Sequence, residues 1–103
     1  SLHDALPISD EVETRRFTSD VASTLTDLGH AYLSLGETTQ ARRFLDMALN
    51  GQKNIHGDEH PEVVRTLTVL GIAYTMQGNW TEARKMRKEA GKIQAKLDAK
   101  PLM

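Results

Sequence analysis

The chain repeats itself at an offset of 42 residues, and this repeat restricts its fold more than any other feature. Placing residues 21–48 over residues 63–90 without a gap gives thirteen identities. The identical pairs are Val21 and Val63, Thr24 and Thr66, Leu25 and Leu67, Thr26 and Thr68, Leu28 and Leu70, Gly29 and Gly71, Ala31 and Ala73, Tyr32 and Tyr74, Gly36 and Gly78, Thr39 and Thr81, Ala41 and Ala83, Arg42 and Arg84, and Ala48 and Ala90. A fixed period of this size indicates stacked, structurally equivalent units.

Apolar residues recur at helical spacing in two segments of each unit, which predicts four helices over residues 19–35, 38–54, 61–77 and 80–98. In the first helices the predicted core residues are Val21, Leu25, Leu28, Tyr32 and Leu35, followed in the second unit by Val63, Leu67, Leu70 and Tyr74. In the second helices they are Ala41, Phe44, Leu45, Ala48 and Leu49, and then Ala83, Met86, Ala90, Ile93 and Leu97.

Glycine and proline mark where these helices end, begin and approach one another. Gly36 and Gly78 follow the last periodic residues and are predicted C-caps, whereas Pro61 suits the first turn of a helix. Gly29 and Gly71 lie inside helices, where glycine costs about 1 kcal/mol relative to alanine. We therefore expect a close approach by the partner helix there. The short joints predict antiparallel helical hairpins.

The segments Leu25–Tyr32 and Leu67–Tyr74 both read Leu-x-x-Leu-Gly-x-x-Tyr, and an alanine-rich helix follows each. This pattern resembles the tetratricopeptide repeat. The period and the loop Gly57-Asp58-Glu59-His60-Pro61 are similar to the variant found in kinesin light chains and nephrocystin-like proteins. The resemblance implies an all-α solenoid of helical hairpins, here two tandem units of antiparallel helices.

Three features depart from that pattern. Before the first repeat, Arg15-Arg16-Phe17-Thr18-Ser19 replaces the Gly-x-x-His-Pro loop. Kinesin light chain repeats usually carry asparagine where this chain has Thr26 and Thr68. Arg87 takes a place where phenylalanine or leucine usually packs against a following repeat. This substitution is typical of a capping repeat whose outer face meets water.

We divide the chain into a leader over residues 1–18, one unit over 19–56, a second over 57–98, and a tail over 99–103. The first eight residues, Ser1 to Ile8, resemble the in-frame translation of a common sequencing adapter, and we expect them to be non-native. The chain also starts without methionine. We therefore expect a longer parent protein whose true N-terminus is not included.

The resemblance implies that the first helices line a concave groove. The residues opposite the predicted core face are spaced i, i+3, i+7 and i+10, which holds each set on one side of its helix. These candidate groove residues are Ser23, Thr26, His30 and Leu33 in the first unit and Arg65, Thr68, Ile72 and Thr75 in the second. We expect Leu33 and Ile72 to be exposed without a core role, and Arg65 to meet a ligand carboxylate.

The function that follows is an adaptor or scaffold whose groove receives a peptide or extended segment of a partner protein, with a kinesin light chain-like cargo adaptor as one form. One alternative is a structural end-cap of a longer array. Another places the array as the sensor arm of a multidomain signalling NTPase. The expected partners are a protein or peptide ligand and further repeat units of the same parent chain.

Charge is uneven along the chain: residues 1–79 carry 6 Lys+Arg against 11 Asp+Glu, and residues 80–103 carry 7 against 3. A basic helix of this kind suits an acidic partner or nucleic acid. Because no aromatic residues alternate with its lysines, we interpret it as a solvated face and expect no nucleic-acid partner. No apolar stretch is long enough for a membrane span.

No residue pattern points to catalysis or to a cofactor. His56 to His60 concentrates potential metal ligands, but it lacks the His-Glu-x-x-His spacing and coincides with the loop of the family, so we interpret it as a loop. We expect no catalytic residue, no metal and no enzymatic activity. The absence of cysteine fits an intracellular protein, and we expect a cytoplasmic one.

Overall fold

The computed structural model describes residues 8–101, and the side chains of residues 18–101. Four helices occupy this part of the chain, and it contains no strand. They are α1 (Ile8–Ser34), α2 (Thr38–His56), α3 (Pro61–Met76) and α4 (Trp80–Asp98). α1 packs on α2 and α3 on α4, and α3 also contacts both helices of the first pair. The predicted all-α arrangement of two helical hairpins is confirmed.

The predicted limits of α2, α3 and α4 agree with the structure to within two residues, but α1 begins at Ile8 instead of near residue 19. The division of the chain into leader, units and tail stays a prediction. The proposed adapter remnant lies almost wholly outside the described residues. No helix within residues 8–101 combines the length and the apolar character that crossing a bilayer requires.

Both hairpins turn through the same glycine-capped joint. Gly36 and Gly78 have φ angles of 78° and 75°, which residues with a side chain rarely adopt. Each glycine is followed by an amide that reaches back five residues to a helix carbonyl, the bond of a Schellman motif. These bonds join the Glu37 N–H to the Tyr32 oxygen and the Asn79 N–H to the Tyr74 oxygen, both at 2.9 Å. The two predicted C-caps are confirmed.

Side chains cap the starts of α3 and α4. Nδ1 of His60 accepts a hydrogen bond from the Glu62 N–H at 3.1 Å, and Pro61 occupies the first turn of α3. At the start of α4, Oδ1 of Asn79 accepts from the Glu82 N–H at 3.3 Å. Each cap satisfies a donor that has no partner inside its helix. Both predicted helix starts are therefore confirmed.

The core forms where the second helices meet α3. Its buried members include Ala41, Leu45 and Ala48 of α2, Val63, Leu67, Leu70 and Ala73 of α3, and Ala83, Ala90 and Ile93 of α4. Leu49 and Met86 are partly buried and pack against both of the clusters into which the core divides. The core faces predicted for the second helices are therefore correct.

The core face predicted for α1 is wrong at three of its five residues, since only Leu25 and Tyr32 are partly buried. Val21, Leu28 and Leu35 are 39%, 39% and 74% exposed. The buried side of α1 lies about one residue further along, at Ala22, Thr26, Gly29 and Leu33. The counterparts Val63 and Leu70 are buried because α3 packs against a preceding hairpin. Within residues 8–101 no hairpin precedes α1, so the equivalent face of α1 meets solvent.

The glycines inside α1 and α3 differ in how closely the partner helix approaches. A Cβ atom at Gly29 would lie 2.6 Å from Cγ of Leu45, well inside van der Waals contact. A Cβ atom at Gly71 would lie 3.4 Å from Cγ of Arg87, an ordinary contact. The close approach predicted from the repeated glycine is therefore confirmed at Gly29. At Gly71 the partner helix leaves enough room for a Cβ atom.

The loop between the hairpins is organised by two histidines. The rings of His56 and His60 stack with their centroids 3.9 Å apart. Nε2 of His56 lies 3.1 Å from Oγ of Ser19, and Nδ1 of His60 serves as the helix cap. Among the residues that the structure describes, no three His, Cys, Asp or Glu side chains are placed to hold a metal ion. The contacts of these rings are those of a structural loop.

We expect the Gly29→Ala and Gly71→Ala variants to change stability in opposite directions. Alanine at position 71 fits the available space and should raise the free energy of unfolding by up to about 1 kcal/mol through helix propensity. Alanine at position 29 overlaps Leu45, and overpacking of this kind costs about 1–3 kcal/mol, more than that gain. Chemical denaturation of both variants checks this, and equal changes would contradict it.

We expect the protein to lose stability as the pH falls through the titration range of histidine. Burial, and then the charge of His56, lower the pKa of His60, while Glu62 opposes the shift. The unfolded chain, with a histidine pKa of about 6.5, then binds the proton more readily than the folded chain. Thermal unfolding at pH 7.5 and 5.5 should show a larger fall for the wild type than for His60→Asn, which keeps a capping acceptor. An equal fall in both proteins would argue against this role of His60.

Candidate binding groove

A cavity of about 530 Å³ lies between the first helices of the two hairpins. α1 and α3 pack directly against each other, so exposed residues on their facing flanks form its two walls. The cavity is lined by Asp27 and His30 of α1 and by Arg65, Thr68, Val69 and Ile72 of α3. Four of the eight candidate residues, namely His30, Arg65, Thr68 and Ile72, therefore lie in one groove.

One ion pair and one hydrogen bond cross the groove and hold its rim together. A guanidinium nitrogen of Arg65 donates to a carboxylate oxygen of Asp27 on the opposite helix. The other terminal nitrogen lies 3.5 Å from Oε2 of Glu62, and the Ser23 hydroxyl donates to the same oxygen at 3.2 Å. Arg65 thus already has two carboxylate partners, which removes the reason for assigning it to a carboxylate of a ligand.

The rim therefore carries more negative than positive charge, while the α3 wall supplies apolar surface. Asp27 and Glu62 face the single guanidinium of Arg65. Ile72 is 46% exposed, although it is a large aliphatic side chain. The hydroxyl of Thr68 donates to the Val64 carbonyl of its own helix at 2.8 Å, so its proton is already engaged. This chemistry favours neutral or basic ligand groups beside an aliphatic contact.

The other candidate residues lie outside the cavity: Leu33 was wrongly predicted to be exposed, and Thr26 was wrongly predicted to line the groove. Leu33 is buried in the core with Leu45 and Leu70. Thr26 is completely buried between helices. Ser23 is half-buried and bonded to Glu62, and Thr75 donates to its own helix and accepts from Arg87. The error follows from the misplaced core face of α1, because the buried side of that helix passes through Thr26 and Leu33.

Thr26 belongs to a buried ring of three polar side chains that joins α1, α2 and α3. We define this polar ring as Thr26, Gln52 and Thr66, all of which are almost or completely buried. Nε2 of Gln52 donates to the Thr26 hydroxyl at 3.3 Å, and the Thr66 hydroxyl donates to Oε1 of Gln52 at 2.6 Å. The two hydroxyl oxygens lie 2.9 Å apart, so Thr26 completes the ring by donating to Thr66. Every member then has a partner, which buried polar groups require.

The sequence analysis missed Asp27, Val69 and Gln52. Asp27 and Val69 are equivalent positions of the two units, since they are 42 residues apart, and both line the cavity. They follow the candidates Ser23 and Arg65 by four residues, so helical spacing could have added them to the predicted groove. Gln52 was detectable as a polar residue on the otherwise apolar side of α2 that holds Ala41, Leu45 and Ala48.

Comparison with known families agrees with this architecture. A family model described as tetratricopeptide repeat matches residues 20–95, which cover most of both hairpins and the groove between them. Comparisons with curated proteins and with solved structures gave no significant match.

We expect Thr26→Val to lower the free energy of unfolding more than Gln52→Leu does. Thr26→Val leaves the buried amide of Gln52 without an acceptor, which typically costs about 1–3 kcal/mol. Gln52→Leu should cost less, because both threonine hydroxyls also lie within reach of carbonyls one turn back, at 3.3 Å and 3.1 Å. Denaturant unfolding of the two variants measures the difference, and the reverse order would contradict the ring.

Proposed function

Since the chain belongs to the tetratricopeptide repeat family, we propose that it is a protein-interaction module that holds an extended segment of a partner protein between α1 and α3. Repeats of this family generally mediate protein–protein interactions and are typically not enzymes. The main observation in support of this proposal is the cavity between the facing sides of α1 and α3.

The groove supports a ligand of restricted chemistry. Exposed Ile72 provides a contact for an aliphatic side chain, and burying it would remove apolar surface from water. The excess carboxylate at the rim disfavours an acidic segment and favours a neutral or basic one. We therefore propose an extended segment that places an aliphatic side chain beside Ile72 and a hydroxyl, amide or basic group near Asp27.

We further propose that this module is part of a longer cytoplasmic adaptor, with cargo binding of the kinesin light chain kind as one form. The exposed apolar face of α1, formed by Val21, Leu28 and Leu35, supports stacking on another repeat unit of the parent chain. Its counterpart on α3 is the face that packs on the first hairpin. The exposed apolar face of α1 would pack on a preceding repeat unit in the same way.

A structural role at the end of an array is the second candidate, and α4 supplies the observation in its favour. Leu45 and Leu49 of α2 pack on α3, whereas the equivalent positions of α4 hold Arg87 and Gly91. This outer face offers little apolar surface to a further hairpin. As the end-cap of a longer array in a multidomain signalling NTPase, the module would need no ligand in its groove.

We expect Ile72→Glu to abolish selective peptide binding. The substitution places a further negative charge against Asp27 and Glu62 and removes the apolar contact, without disturbing a buried residue. A random peptide library displayed on phage and selected on the wild-type chain should yield a group of neutral or basic sequences that bind in the groove. Their binding to Ile72→Glu should weaken at least about tenfold, a loss of about 1.4 kcal/mol.

Met47→Glu is the matched control, because Met47 is also an exposed aliphatic side chain but lies on α2, outside the cavity. It should bind the selected peptides as the wild type does. Selection of no neutral or basic peptide, or equal binding of such peptides by the wild type and Ile72→Glu, would reject the groove in favour of the end-cap.

A further inference from the structure

The outer face of α4 carries more positive charge than the equivalent face of α2. We define this face, the α4 basic face, by Trp80, Arg84, Arg87, Lys88 and Lys92. At the equivalent positions α2 carries Thr38, Arg42, Leu45, Asp46 and Asn50. The α2 set has one positive and one negative charge, whereas the α4 set has four positive charges and no negative one. Arginine occupies both equivalent positions, 42 and 84, whereas the other three cations occur only in α4.

The acidic residues of α4 do not neutralise this face. Glu89 pairs with Lys53 of α2 at 3.1 Å, and Glu82 pairs with Lys85 at 3.2 Å. Within the part of the chain whose side chains are described, neither Arg84 nor Lys88 takes part in an ion pair. Unpaired cations in a row on one helix repel one another by a few tenths of a kcal/mol per i,i+4 pair. An anionic ligand would remove this repulsion.

The face also has a concave part and an aromatic residue. A cavity of about 310 Å³ is lined by Trp80, Thr81, Arg84, Lys85 and Lys88. Trp80 is 63% exposed, although it is the largest apolar side chain in the molecule. An exposed tryptophan beside unpaired cations provides both an apolar and a charged contact, and aromatic residues and arginine are enriched at protein interfaces.

We propose that the α4 basic face binds an acidic, extended segment of a partner protein, at a site separate from the groove. Arg84, Lys88 and Lys92 follow one another at intervals of four residues, which places them about 6 Å apart along the helix axis. Alternate side chains of an extended chain lie about 6.6 Å apart on the same side. Acidic residues at alternate positions therefore match the row of cations, and an adjoining apolar residue covers Trp80.

Other occupants fit this face less well. A further hairpin or a second copy of the chain would need apolar contacts of the kind that Leu45 and Leu49 make, but the equivalent residues are Arg87 and Gly91. Single-stranded nucleic acid is usually held by several stacked aromatic side chains, and here Trp80 is alone. A membrane surface would require a broad apolar side on the same helix. The observations therefore favour an acidic protein segment.

The single tryptophan of the chain makes the site directly observable. A ten-residue peptide of alternating glutamate and serine should change the emission of Trp80 saturably, and added salt should weaken the effect. The matching glutamine–serine peptide should produce no change. In the double variant Arg84→Glu, Lys88→Glu the dissociation constant for the glutamate peptide should rise at least about tenfold. No saturable change with the glutamate peptide would overturn the proposal.

The control variant is Arg43→Glu, Lys100→Glu, which makes the same change in net charge at two exposed positions outside the face. It should keep the wild-type affinity, and an equal loss would show only a general charge effect and overturn the proposal. If a ten-nucleotide oligothymidylate or phosphatidylserine vesicles bound more tightly than the glutamate peptide, the proposal of a protein segment would be overturned in favour of that ligand. A change in Trp80 emission with protein concentration alone would point to a second copy. Ile72→Glu should leave the peptide response unchanged, which separates this site from the groove.

Discussion

The hydrogen bonds among Thr26, Gln52 and Thr66 fix how the two hairpins meet. Each residue comes from a different helix, and all three are enclosed, so none can turn to water for a partner. A shift of α1 or α3 along its axis would leave at least one buried donor or acceptor unpaired, which costs more than the bond itself contributes. Apolar packing alone tolerates small displacements. The polar ring therefore sets the register of α1 against α3, and with it the distance between the walls of the groove.

The features that depend on local chemistry could be predicted from the sequence. The turns at Gly36 and Gly78, the cap at Asn79 and the apolar side of α4 are each decided by a few neighbouring residues. The groove could be predicted only in part. The exposure of Val21 depends on whether another hairpin lies against it, which periodicity does not report. The same uncertainty, about one residue in the rotation of α1, moved Leu33 and Thr26 from the core to the predicted surface.

Identity between the units does not imply identical roles. Tyr32 and Tyr74 end their helices with the same backbone bond, but the ring of Tyr32 stacks on Phe44 within its own hairpin, with centroids 5.3 Å apart. The ring of Tyr74 lies under the guanidinium of Arg42 from the preceding hairpin, at 4.4 Å from its centroid. The second contact links the hairpins and the first does not. A repeat encodes equivalent backbones, and the neighbours of each unit then decide which partner a side chain meets.

The two candidate surfaces have opposite charge preferences, and the ion pairs of the chain explain why. In the groove, Arg65 is engaged by Asp27 and Glu62, so the rim is left with surplus carboxylate. On α4, Glu82 and Glu89 are engaged by Lys85 and Lys53, so Arg84 and Lys88 have no ion-pair partner among the side chains of residues 18–101. We therefore expect an acidic segment to be repelled from the first surface and attracted to the second. Under both proposals, one chain of two hairpins holds two segments of different charge without either competing for the site of the other.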